Sequence, residues 1–266
     1  MRYNFDTKDF QIAHKYNPEI LTFDDYKEHF HVGYEFLFFI EGNLEYVIEN
    51  KKYQLKPHDL LLIKPGQHHY VNFYSTGTYE RFVITFEKSL IPLNILSSFN
   101  NKSQCLSLKD TPLLDIFKRL DNYRDTFDGD ELYELAKGAL TELIIYYNKY
   151  APEEIDGQKQ QIVNPIIGSI LNYISLHIDE DLSIPVLAKQ FGISQSYLCS
   201  SFKECMQTNI SKYIRSKRIV LAHSYIQRGE RPSEVYIKCG FNDYSTFYRS
   251  FQKIMGYPPS KKVDTF

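Results

Sequence analysis

Two periodicities divide this chain. Up to about residue 90, aromatic and β-branched residues fall into short runs at 34–40, 44–49, 53–55, 60–63, 69–74 and 79–86. Turn-forming stretches separate them: Glu41-Gly42-Asn43, Asn50-Lys51-Lys52, Lys56-Pro57-His58-Asp59, Lys64-Pro65-Gly66 and Ser75-Thr76-Gly77. Short runs bounded by such residues predict strands, and their regular spacing predicts an antiparallel barrel or jelly roll. The period then lengthens to that of a helix. Leu113, Ile116, Phe117 and Leu120 form one stripe within 112–126, and Leu132, Leu135, Ala136, Ala139, Leu143, Ile144 and Tyr147 a second within 130–150. These two helices are expected to cover the barrel's open edge, and the second stripe is wide enough to serve a dimer interface as well. Polar residues with Pro152 and Gly157 follow, marking 151–163 as a linker between residues 1–150 and 164–266.

Beyond the linker the pattern is helical throughout. Asn164-Pro165 opens a helix with proline in its first turn, and Ile166, Ile167, Ile170, Leu171 and Ile174 are its apolar positions. Near the C-terminus, Gly240 permits a tight turn, Asp243 caps the next helix, and Phe247 and Phe251 point inward at i,i+4. Tyr244, Ser245, Tyr248, Arg249 and Gln252 share the opposite face. Hydrogen-bonding residues facing outward on a short helix after a glycine turn suit a helix that enters a DNA groove. The same grammar occurs about fifty residues earlier. A helix at 184–191 meets the turn Gly192-Ile193-Ser194, and a second helix over 195–206 has Leu198 and Phe202 as its inward pair. Its outward residues are Gln195, Ser196, Cys199, Ser200 and Lys203. One long helix, 210–227, joins the two units into an internal repeat.

This tail resembles the AraC/XylS-type transcription regulators, whose signature runs here through Gly240, Phe241, Ser245, Phe247, Arg249, Phe251, Gly256 and Pro259. The resemblance implies paired helix-turn-helix units on double-stranded DNA, read by Gln195, Ser196, Cys199, Ser200, Lys203, Tyr244, Ser245, Tyr248 and Arg249. It also implies a homodimer, contact with RNA polymerase, and activation under the control of a small molecule. Several positions depart from the family. Alanine usually stands four residues before the turn glycine; Ala188 keeps that place, whereas Tyr236 replaces it and implies a repacked or slightly opened second unit. Ser200 stands where arginine is common, Gln207 where glycine is, and Lys262 where tyrosine or phenylalanine is. The short side chains of the first unit give it little reach for bidentate contacts to bases.

The strand-rich half carries a second constellation. His29-Phe30-His31, Glu35 and Gly42 follow the HxH-x3-E-x6-G pattern of cupins, and Pro65-Gly66 with His69 resembles their second motif, although His58 occupies its usual glycine. In cupin enzymes these three histidines and the glutamate would hold a divalent metal. Three readings stay open: a metal centre, a polar lining of a small-molecule pocket, and a barrel packed solid with side chains. The adopted reading makes His31, Glu35, Glu41 and His69 inward-facing ligand groups, with no resident metal or cofactor. Aromatic faces beside carboxylates, and the effectors common in the family, point to a carbohydrate.

Composition adds an asymmetry. The net charge of −2 divides into −7 over residues 1–161 and +5 over residues 162–266, so the helical half carries the sign that suits phosphate. No apolar run reaches the length of a membrane span, no secretory signal pattern opens the chain, and Cys105, Cys199, Cys205 and Cys239 lack CxxC spacing. A cytoplasmic protein with reduced thiols is expected. The expected architecture is thus a cupin/jelly-roll-like barrel with two helices, followed by an all-α domain with two helix-turn-helix units. The expected function is effector-controlled DNA binding; the alternative is a metal-dependent cupin enzyme targeted by its helical half. No paired base and nucleophile lies outside the His/Glu set, which disfavours the enzyme.

Overall fold

The computed structural model describes residues 2–19, 26–153 and 161–260. The chain divides into two compact units: Met1–Lys27, Gly33–Ile48 and Lys52–Gln161 make the first, and Glu28–Val32, Glu49–Lys51 and Ile162–Phe266 the second.

The strand-rich half contains β1 (Tyr3–Asp6), β2 (Phe10–Asn17), β3 (Tyr34–Glu41), β4 (Leu44–Ile48), β5 (Lys51–Gln54), β6 (Asp59–Ile63), β7 (His69–Phe73), β8 (Tyr79–Phe86) and β9 (Cys105–Ser107). A two-residue strand, β10 (Gln161–Ile162), follows later in the chain. They form a six-stranded sheet in the order β1-β2-β8-β3-β6-β9 and a four-stranded sheet in the order β10-β5-β4-β7. β1, β2 and β9 extend the barrel beyond the six runs expected from sequence. Much of the polar linker, residues 154–160, lies outside the described residues.

Strand periodicity explains why β3 is buried almost throughout. Leu37 and Phe39 join Leu44, Tyr46, Ile48, Leu61, Ile63 and Tyr79 in one apolar cluster, while Phe36 and Phe38 on the opposite face join Leu60, Leu62, Phe82 and Ile84 in another. The second cluster also contains residues of α2 (Leu114–Thr126) and α3 (Gly129–Tyr150), including Ile116, Phe117, Ala139, Leu143 and Tyr147; the short helix α1 (Leu96–Asn100) adds Phe99. The helices therefore lie against the outer face of the six-stranded sheet. This corrects the expectation that they close an open edge, because an unmet face of large side chains offers far more burial than an edge. Phe38 and Phe117 stack with ring centroids 3.9 Å apart.

The helical half comprises α4 (Pro165–Leu176), α5 (Ile184–Gln190), α6 (Gln195–Met206), α7 (Ile210–Gln227), α8 (Pro232–Lys238) and α9 (Tyr244–Met255). Asn164 caps α4 by accepting hydrogen bonds from the backbone of Ile166 and Ile167 at 3.0 and 3.3 Å. Two distinct apolar clusters lie along this half. One gathers Ile167, Ile170 and Ile174 of α4, Leu187 of α5, Leu198 and Phe202 of α6, and Ile210, Tyr213 and Ile214 of α7. The other gathers Ile219 and Ala222 of α7, Val235 of α8, and Phe247 and Phe251 of α9. Among the described residues, no helix is long and apolar enough to cross a membrane.

Candidate nucleic-acid interface and barrel site

The two helix-turn-helix motifs are built alike. Gly192 takes φ 63° and Gly240 φ 77°, a left-handed conformation that costs glycine little. The residue after each glycine donates its N–H to the carbonyl five positions back, Ile193 to Ala188 and Phe241 to Tyr236, both at 3.0 Å. Ser194 caps α6 by accepting from Tyr197 N at 3.1 Å, and Asp243 caps α9 by accepting from Thr246 N at 2.7 Å. That bond holds the Asp243 carboxyl below the usual aspartate range.

The equal 3.0 Å turn bonds decide between the two expectations for Tyr236: it does not open the second motif. Its ring is half-buried, edge-on to Tyr244 at 5.6 Å and tilted against Phe247 at 6.3 Å. The unit is repacked and stays closed. Gln207, at the family's glycine position, takes φ 53° as the C-cap of α6 and donates from Nε2 to Glu204 O at 2.8 Å. Lys262 lies outside the described residues.

With Leu198, Phe202, Phe247 and Phe251 fully buried, the outer faces emerge as the sequence implies. Gln195, Ser196, Cys199, Ser200 and Lys203 are exposed on α6, and Tyr244, Ser245 and Arg249 on α9, with Tyr248 half-buried. The chemistry differs. The Ser200 hydroxyl turns back onto the carbonyls of Ser196 and Tyr197 at 2.9 and 3.2 Å, whereas the exposed Arg249 donates from Nε to Ser245 O at 3.3 Å. Sequence reasoning misses Tyr197, which is 41 % exposed on the same helix. Its place one residue after Ser196, on the first turn, is the signal that could have found it.

In the strand-rich half, Glu35 sits on β3, and His69 opens β7 in the other sheet, paired with Ile48. Ligand atoms of Glu35 and His69, both in the first unit, lie within 4.8 Å of one another, whereas His31 belongs to the second unit. His69 Nδ1 lies 3.0 Å from Gln67 O. A carbonyl only accepts, so Nδ1 carries a proton, and in the neutral imidazole the lone pair lies on Nε2. An imidazole oriented by a backbone carbonyl beside a carboxylate suits a polar ligand, and would supply a divalent transition-metal ion with two of the ligands it needs. His29 is exposed and stands outside the cluster. His58, at the motif's glycine, takes φ 77° and is also exposed.

Glu41 corrects another expectation. The ladder between β3 and β8 slips between Phe39 and Glu41, and the carboxylate is turned to the exterior. It lines a surface hollow of about 260 Å³ with Asn43, Phe73, Ser75, Thr76 and Thr78. The unpredicted β2 and its partner β8 supply further polar groups to this half. Arg81 is buried 4.0 Å over the Tyr79 ring and donates to Asn17 Oδ1 at 2.6 Å. Lys15 has its pKa lowered by burial and then by Arg81, with Glu35 opposing. The Tyr46 and Tyr79 hydroxyls meet at 3.4 Å, and burial pushes the Tyr79 phenol up to about 12. The alternation Phe10-Gln-Ile-Ala-His-Lys-Tyr16 is the available signal for β2.

Two family models match the chain. A helix-turn-helix domain covers residues 187–263, and an AraC-like ligand binding domain covers residues 21–121. The regulatory protein SoxS of Salmonella typhimurium is 33 % identical over 96 residues, covering 36 % of this chain and 90 % of SoxS. The probable transcriptional regulator LumQ of Photobacterium leiognathi is 30 % identical over 107 residues, covering 40 % of this chain and 42 % of LumQ. Among solved structures, ToxT from Vibrio cholerae O395 aligns over 96 % of this chain and 96 % of its own, at 16 % identity and a TM-score of 0.40.

Proposed function

This chain belongs to the AraC family of DNA-binding transcription regulators, and on that premise we propose that α6 and α9 are its two groove-reading helices and that Glu35 and His69 anchor its effector-responsive site. One observation carries the first part. Two short helices with matched caps and turns bury their Phe-containing i,i+4 pairs and leave polar faces exposed. α9 does most of the base reading in this account. Arg249 can offer a guanidinium fork to guanine O6 and N7, while Gln195, Ser196, Cys199 and Ser200 chiefly position α6, aided by Lys203. The surplus of five positive charges over residues 162–266 favours phosphate contact.

For the effector, the Glu35 carboxylate and the His69 imidazole provide acceptors and donors, and the buried Tyr46 and Tyr79 of the same barrel add hydroxyls and aromatic faces. That combination suits a polyhydroxylated ligand, and a carbohydrate is the class we assign. The role is regulatory rather than enzymatic: the effector acts by favouring one DNA-binding state over another.

The test uses the full-length protein and the DNA upstream of its own gene. Binding measured by fluorescence anisotropy should weaken linearly in log–log form with salt, by about 0.9 per phosphate contact. A candidate sugar should shift that affinity. Glu35→Gln and His69→Ala should abolish the shift while leaving effector-free binding intact. Salt-insensitive binding would remove the DNA reading; an effector response that survives both substitutions would remove the site.

A further inference from the structure

Arg218 lies on α7 between the two apolar clusters of the helical half. The first cluster uses Ile210, Tyr213 and Ile214 of that helix, and the second uses Ile219 and Ala222; no side chain belongs to both. The apolar packing thus holds each motif together without fixing the angle between them. The helix alone is a weak guarantee of that angle, since at 18 residues it is about 27 Å long and helices of this length bend.

The Arg218 side chain spans the junction. Its Nε donates to Ile178 O at 2.9 Å and its Nη2 to Glu180 O at 2.6 Å, both in the loop that leads from α4 into α5 and the first motif. The same guanidinium lies against the turn of the second motif. A Cβ placed on Gly240 would come within 2.7 Å of Nη2, 2.8 Å of Cζ and 2.9 Å of Nε. Its Cζ is 6.0 Å from the centre of the Phe241 ring, within cation–π range. Gly240 therefore answers two demands: a left-handed φ, and a bare Cα against which a flat cation can lie. Burial pulls the Arg218 pKa down, while Asp181 and Asp179 oppose that pull and favour the cation.

We propose that Arg218 is the strut that phases the two motifs: by gripping the loop before α5 with its donors and the turn before α9 with its face, it sets the separation of α6 and α9, and so the spacing of the two DNA sub-sites that the protein accepts. This rests on both helices entering DNA grooves. Two helices on one duplex must reach major-groove segments whose positions repeat with the helical turn, so a small change of angle alters which spacing fits. Arginine suits the role because a planar fork can hold two carbonyls at once and still stack, which an ammonium cannot. Arg218 is a positioning residue; it need not touch DNA.

The experiment is a binding-site selection with full-length protein in which the distance between the two sub-sites varies base pair by base pair. Wild type, Arg218→Met and Arg218→Lys are compared, with thermal melts alongside. Wild type should show one sharp spacing optimum. Arg218→Met should lose about tenfold or more in affinity at that optimum and accept neighbouring spacings more evenly, with base preferences inside each sub-site unchanged. Arg218→Lys should recover part of the sharpness, having one donor cluster in place of a fork. An unchanged spacing profile in Arg218→Met overturns the proposal. So does a uniform loss at all spacings that Arg218→Lys fully restores, because charge and not the fork would then be at work. A wild type that selects no sequence at all would instead remove the groove-reading assignment on which the strut depends.

Discussion

In the first helix-turn-helix motif Ile193 bonds back to Ala188 around Gly192; in the second Phe241 bonds back to Tyr236 around Gly240, at the same 3.0 Å. The backbones agree where the side chains do not. Ala188 is buried beneath the first turn, while the far larger Tyr236 swings its ring toward Tyr244 and leaves Val235 to fill the core. The C-cap of α6 is Gln207 and that of α9 is Gly256, yet both are left-handed. What separates the motifs is the chemistry of the outer face and of the cap: short hydroxyls beside one exposed phenol, Tyr197, and a serine cap in the first; two phenols, an arginine and an aspartate cap in the second. The hydrogen-bonded turn is the shared mechanical unit, and the face it presents is free to vary.

Separate cores imply that the motifs can be broken separately. Phe202→Ala and Phe247→Ala each remove a fully buried ring, a change that costs about 3–5 kcal/mol. Hydrogen exchange should show the loss concentrated in the damaged motif, whereas equal loss in both would make the two cores one cooperative unit. Next in size is the difference in base reading. Arg249→Ala should cost about 1–3 kcal/mol and relax selection at one base pair, and Ser200→Ala, whose hydroxyl is already bonded to its own helix, much less. Site selection checks this, and scrambling by Gln195→Ala with Arg249→Ala silent would reverse the roles of the helices.

The smallest effect expected is an acid sensitivity greater in the second motif than in the first. His223 packs near Phe251, takes a 3.0 Å contact from Tyr257 and has its pKa lowered by burial. His177, which stacks on Tyr173 beside the first cluster, is only half-buried and pairs with Glu180 instead. With the folded pKa of His223 below the unfolded value of about 6.5, its contribution is complete above pH 6.5 and drains as pH falls through the folded value. The depressed Asp243 carboxyl acts the same way further down: its cap is intact above the unfolded pKa of about 3.9 and fails as pH falls through the folded one. On acidification, amide protection in α8 and α9 should therefore fall before that in α5 and α6, and Asp243→Asn should remove the lower step. Simultaneous loss would show that the motifs share their stability.

Much of this was legible in the chain. The starts of α6 and α9 followed from Ser194, Asp243 and the i,i+4 apolar pairs, because caps and helical periodicity are local properties. The barrel strands followed from aromatic and β-branched runs between turns, with β1, β2 and β9 overlooked. The site was legible in residue type and only partly in geometry. Glu35 and His69 lie close together, while Glu41 turns outward, since a one-residue slip in a strand pair reverses the side-chain direction and leaves no mark on composition.

Sequence alone determined most of the elements, the repeated motif and the polar faces of α6 and α9, since each depends on residues within a few positions of one another. Tertiary structure decided the rest: that Glu35 and His69 from different sheets meet, that α2 and α3 cover a face of the barrel, that Tyr236 fits without opening a turn, and that Arg218 lies flat on Gly240. Those contacts join residues far apart in the chain. Their distances depend on how whole layers and helices pack, which no local pattern of side chains encodes.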